Sequence, residues 1–98
     1  MPDIVEAKKR CARVALILKT LAHPQRLFLL CQLAKGEATV SELRGASGAS
    51  QSLISQHLMR MRREGIVAAR RDGNFVHYRI VDPRLSALIK DMEKTFNE

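Results

Sequence analysis

Between Ser50 and Glu64 the chain carries glutamines, serines and arginines at a spacing suited to one kind of chemistry. Ser52, Ser55, Gln56, Met59, Arg60 and Arg63 share the polar side of a helix, and Gln51 stands in its first turn. No carboxylate interrupts that side. A glutamine amide can pair bidentately with adenine, a serine hydroxyl can reach a base edge, and an arginine can read guanine or hold phosphate. This set suits the major groove of double-stranded DNA. Ile54, Leu58 and Met61 fall on the opposite face and would seat the helix on a core. On the helix alone an ordinary polar surface accounts for the pattern equally well, and the flanking segments separate the two readings.

Upstream, Thr39 and Glu42 have the spacing of a capping box, and Val40 and Leu43 supply the inward face of a short helix. The run Gly45-Ala46-Ser47-Gly48-Ala49 predicts a break. Ser50 then caps the glutamine-bearing helix, which stops at Gly65. Two short helices joined in this way form a helix-turn-helix. Downstream, Ile66–Arg71 and Phe75–Ile80 read as strands joined at Asp72-Gly73-Asn74. Val76, Tyr78 and Ile80 make one face of the return strand apolar. Arg70 and Arg71 near the tip make the hairpin a basic wing.

Asp3 caps a helix over 4–21, with an apolar stripe of Ile4, Ala7, Cys11, Val14, Leu18 and Leu21. Ala12, Ala15, Leu16 and Ile17 widen that stripe, as expected of a helix that also packs on a partner chain. Pro24 opens a second helix running to about Lys35, apolar nearly all round and expected at the centre of the core. Asp82-Pro83 opens a last helix over 83–97 with Leu85, Leu88, Ile89, Met92 and Phe96 on one side. No repeat or long linker divides the chain, so residues 1–98 read as one domain.

The net charge is +7 and the pI about 10.1, a balance that favours polyanionic partners, nucleic acid before an anionic membrane surface. With three Phe, one Tyr and no Trp, stacking on single-stranded bases is poorly supported. The apolar runs Val14–Leu18 and Leu27–Cys31 are too short to span a bilayer, and no signal peptide is expected, since Asp3 and Glu6 precede any apolar stretch. A cytoplasmic protein is expected. The three histidines, His23, His57 and His77, are scattered, and Cys11 and Cys31 form no CxxC, so neither a metal nor another cofactor is expected. No phosphate loop, activated nucleophile or carboxylate pair supports an enzyme.

Leu21-Ala22-His23-Pro24-Gln25-Arg26-Leu27, Val40-Ser41-Glu42-Leu43, Ser50–Leu58, Arg63-Glu64-Gly65-Ile66-Val67 and Arg70-Arg71-Asp72-Gly73 stand in one order along nearly the whole chain. In this the chain resembles the ArsR-type repressors. The resemblance implies a mainly α winged helix-turn-helix of order α-α-α-α-β-β-α, dimeric through its first and last helices. Ile4, Cys11, Leu18, Leu85, Leu88, Ile89, Met92 and Phe96 would form that interface. It further implies that Gln51, Ser52, Ser55, Gln56 and His57 read bases, with Arg70 and Arg71 on the wing. Arg60 and Arg63 join them from the helix face itself. Ser47 and Ala49 stand where such repressors usually carry larger apolar residues.

Metal-sensing relatives place cysteines beside the third helix, where this chain has Ala38-Thr39-Val40-Ser41, or Asp and His on the last helix, which here has no His. A metal-free branch uses one cysteine in the second helix and one near the chain end. Cys31 matches the first, and only Cys11 could replace the second. The leading expectation is a sequence-specific DNA-binding regulator, a homodimeric repressor of a pseudo-palindromic operator with an inducing ligand left open. A thiol-based redox-responsive repressor is the alternative within the fold. A basic protein-interaction module is the alternative outside it.

Overall fold

A computed structural model describes residues 3–97. The elements follow as α1 (Ile4–Leu21), α2 (Pro24–Leu33), β1 (Ala38–Thr39), α3 (Val40–Ser47), α4 (Gln51–Arg63), β2 (Val67–Asp72), β3 (Phe75–Ile80) and α5 (Pro83–Thr95). Each helix start has a side-chain cap. Asp3, Ser50 and Asp82 accept from the backbone N–H groups of Val5, Leu53 and Arg84, and His23 Nδ1 accepts from Gln25. The capping box forms: Thr39 Oγ1 accepts from the Glu42 amide at 3.2 Å, and Glu42 Oε1 accepts from the Thr39 amide at 3.0 Å.

Three details differ from the sequence reading. Thr39 and Ala38 form a short third strand, so the wing belongs to a three-stranded antiparallel sheet of order β1-β3-β2 rather than a free hairpin. Next, α3 passes through Gly45 and ends at Ser47, because buried Leu43 and the capping box outweigh the weak helix propensity of one glycine. The turn is therefore short, with Gly48 left-handed at φ 72°. Finally, α1 buries only Thr20 and Leu21; residues 3–16 remain exposed apart from half-buried Ala7. Of the stripe expected on α1, only its last residue reaches the core.

That core joins Leu29, Leu30 and Leu33 of α2 to Leu43, to Ile54, Leu58 and Met61 of α4, to Val67 and Ile80 of the sheet, and to Leu85 and Ile89 of α5. Leu85 and Ile89, expected at the interface, are thus enclosed within the protomer at 7% and 0% exposure. They lie on the inner edge of the α5 stripe, and Leu88 and Phe96 are left exposed. Ile4, Cys11 and Leu18 are also exposed, and Met92 is half-buried against the core. No single helix among the described residues is long and apolar enough to cross a membrane.

Candidate nucleic-acid interface

The recognition surface is built on α4. Burial of Ile54, Leu58 and Met61 fixes the helix rotation and turns Gln51, Ser52, Gln56, Met59, Arg60 and Arg63 outward. Ser55 is half-buried at the edge of this face. Arg62, which sequence reasoning passed over, is exposed and shares a helical flank with Gln51 and Ser55. Its spacing carried the signal.

His57 does not join the exposed face. It is half-buried and turned toward α2, where its Nε2 donates to Gln25 Oε1 at 3.0 Å. Its ring lies 4.9 Å from that of His23, centroid to centroid. Burial first, then the positive field of His23, Arg26 and Arg60, pushes its pKa below the usual histidine value.

Beside this pair, a cleft of about 510 Å³ is lined by Arg26, Arg60 and Arg63 together with Gln56 and Met59. Arg26 is the unexpected member. It is 93% buried by α2 and its surroundings, and its Nε donates to the Thr20 carbonyl at 3.1 Å, yet no carboxylate pairs with it among the described residues. No buried side-chain nitrogen among the described residues lacks a hydrogen-bond partner, so the rest of the guanidinium reaches the cleft and is open to an anion. In the sequence Arg26 stands only within the Leu21–Leu27 stretch, so its place beside α4 is not visible there.

Three acids in or beside α3, α4 and the wing are already engaged. Glu42 serves the capping box, and the Thr39 backbone N–H holds its carboxylate pKa low. Glu64 accepts from Thr20 Oγ1 at 3.1 Å and lies 3.9 Å from Arg60. Glu37 pairs with Arg70 at 2.8 Å, and the Arg70 hydrogen bond holds its pKa low. On α4 itself this leaves amides, hydroxyls and cations, with Met59 among them.

The wing separates its two arginines. Arg70 pairs across the ladder with His77, and Arg71 with Val76, so they occupy opposite faces of the sheet. Arg70 is held by Glu37, whereas Arg71 is exposed and outside the ion pairs among the described residues. Asp72 and Phe75 flank a two-residue loop, and Gly73 takes φ 62° at its first position.

Neither thiol is bonded: Cys11 is exposed and Cys31 half-buried. Burial raises the Cys31 pKa, Glu93 raises it further, and Lys35 offsets only part of this. A reactive thiol needs the opposite shift. No group of three or more His, Cys, Asp or Glu able to hold a metal occurs among the described residues.

A family model described as bacterial regulatory protein, arsR family, matches residues 23–69. The biofilm growth-associated repressor of Agrobacterium fabrum is 42% identical over 89 residues, covering 91% of this chain and 76% of that protein. The crystal structure of the transcriptional repressor BigR from Xylella fastidiosa superposes with TM-score 0.86 at 37% identity, covering 96% of each chain. The homodimeric winged helix-turn-helix DNA-binding domain Mb0332 from Mycobacterium bovis superposes with TM-score 0.80 at 29% identity, covering 99% of this chain and 90% of that one.

Proposed function

The chain belongs to the ArsR family of bacterial regulatory proteins and is a DNA-binding transcriptional regulator, and from that premise we propose a homodimeric repressor that reads a pseudo-palindromic operator with two copies of α4. The observation that carries this reading is the outward face of α4, which offers amides, hydroxyls and guanidinium groups with no carboxylate from Gln51 to Arg63. In this reading Gln51, Ser52, Ser55 and Gln56 contact base edges. Arg60, Arg62, Arg63 and Arg71 contact phosphates, and Arg26 completes its coordination with one. His57 acts from the flank, through its contact with Gln25, and Arg70 braces the wing rather than touching DNA.

The dimer forms through the exposed apolar residues of α1 together with Leu88 and Phe96, and the homodimeric relative supports this. A two-fold axis would set the two copies of α4 about one DNA turn apart, roughly 34 Å. The protein then acts in the cytoplasm on chromosomal DNA and has no catalytic role.

Enrichment of bound sequences from random duplexes, followed by a footprint, tests the reading. Two inverted half-sites separated by about one helical turn are expected. Binding that selects no sequence would instead indicate a protein that uses charge alone.

A further inference from the structure

A second cleft, of about 280 Å³, opens where the start of α2 meets the end of α3 and the first half of α4. Its apolar walls include Phe28, Leu29 and Ile54. The helix-turn-helix turn contributes only small side chains, Ala46, Ser47 and Ala49, so nothing from that side fills the space. Phe28 is left 38% exposed there, although its helix neighbours Leu29 and Leu30 are 2% and 0% exposed. The ring and the uncovered space beside it leave room for a small apolar ligand.

The lining defines the chemistry. No Lys, Arg, Asp or Glu borders the cleft, so an ion would lose its hydration without compensation. The polar atoms come from Gln25, Ser47 and His57. Because His57 donates through Nε2 to Gln25, a neutral ring has Nδ1 left as an acceptor. An apolar cavity of about 150 Å³ admits benzene, so this one has room for a fused second ring or a short substituent.

We propose that this cleft is an effector site for a small uncharged aromatic molecule bearing one N–H or O–H donor, and that filling it weakens operator binding. The effect on DNA rests on the function proposed above. A ring wedged between Phe28 and Ile54 pushes on the half of α4 that carries Gln51 and Ser52. A donor bound at His57 Nδ1 leaves the Nε2–Gln25 bond in place and pulls on the imidazole that ties α4 to α2.

Indole, which is uncharged and carries one N–H, is the probe, and benzoate is the charged control. In NMR titrations of the full chain without DNA, indole shifts the Phe28, Ile54 and His57 signals saturably, with Kd of about 0.1–1 mM for a ligand this small. Benzoate does not. Saturating indole raises the operator Kd by roughly fivefold or more, an ordinary coupling between two sites. Ala49→Leu fills the cleft, keeps operator binding and loses both indole effects. Ala46→Leu fills the same space from α3 and carries the same expectation if Ala49→Leu does not fold. Absence of saturable shifts, or shifts that survive both filling variants, would overturn the site. Indole binding without any change in operator Kd would overturn its effector role. A chain that binds no specific DNA at all would fail the functional reading instead, and the NMR titration would still decide the cleft.

Discussion

The recognition helix and the first helix dispose of apolar surface in opposite ways. In α4, Ile54, Leu58 and Met61 are sealed inside, and every exposed residue except Met59 is polar or cationic. In α1, Ile4, Leu16 and Leu18 stand 70%, 69% and 48% exposed, and Val5 and Val14 are exposed with them. Water tolerates scattered apolar residues on a surface, but not readily a helix that presents them along most of its length. The reading half is thus finished within one chain, and in the proposed dimer a second copy covers the other half. The same contrast recurs within α5, where Ile89 is sealed inside the protomer and Leu88 stands 43% exposed.

The largest expected effect breaks the contrast at α5. Leu88→Glu sediments as a monomer with native helix content, and operator affinity falls roughly 100-fold or more, because two half-sites no longer act as one ligand. Ile89→Ala instead lowers stability by about 2–5 kcal/mol, as a core truncation does, and is detected as a lower Tm. A Leu88→Glu dimer that still binds the operator would show that α1 and α5 do not assemble the protein.

Smaller effects separate the two wing arginines. Arg71→Ala weakens operator and random DNA alike and reduces the salt dependence by about one phosphate contact in a titration across salt concentrations. Arg70→Ala has less effect on DNA affinity, because Glu37 already holds Arg70. Equal losses for both variants would place Arg70 on DNA after all.

A smaller effect still comes from pH. The depressed pKa keeps His57 neutral near pH 7 in the free protein. Phosphates brought close by DNA favour the charged form, so binding takes up a proton and affinity rises as pH falls from 7.5 toward 6. The same depression has the opposite sign for folding: the unfolded chain binds the proton more readily, so His57 removes stability as pH falls below about 6.5. His57→Gln flattens its share of both trends, read as operator Kd and Tm against pH. The smallest effect belongs to Cys31→Ser. Operator affinity before and after mild peroxide is unchanged in wild type and variant, because the thiol is held protonated and half-buried. A loss confined to the wild type would make the protein a thiol sensor.

The reading half was the more legible in sequence, for a physical reason. A helix with one buried and one polar face writes its rotation into a single period, and Thr39, Glu42, Ser50 and Gly73 act within a few residues of themselves. The assembly half was less so. Periodicity gives α5 an apolar stripe, but cannot tell which edge its own core encloses, and Leu85 and Ile89, expected at the interface, lie within that core. β1 is too short to show alternation. The contacts of Arg26 with Thr20 and of His57 with Gln25 arise only once α1, α2 and α4 meet. The cleft beside Phe28 depends on side chains that are small, so no residue announced it.

The outward face of α4 is tested most directly by one ratio: affinity for the operator over affinity for random duplex, at fixed salt, in wild type and in Gln56→Ala. Gln56 is exposed on α4 and its side chain forms no hydrogen bond within the protein among the described residues, so truncating it should leave the fold intact. A lost base contact of about 1–3 kcal/mol lowers the ratio roughly 5- to 150-fold, with random-DNA affinity unchanged. Equal weakening on both duplexes would contradict base reading by this face and reduce α4 to a phosphate-binding helix.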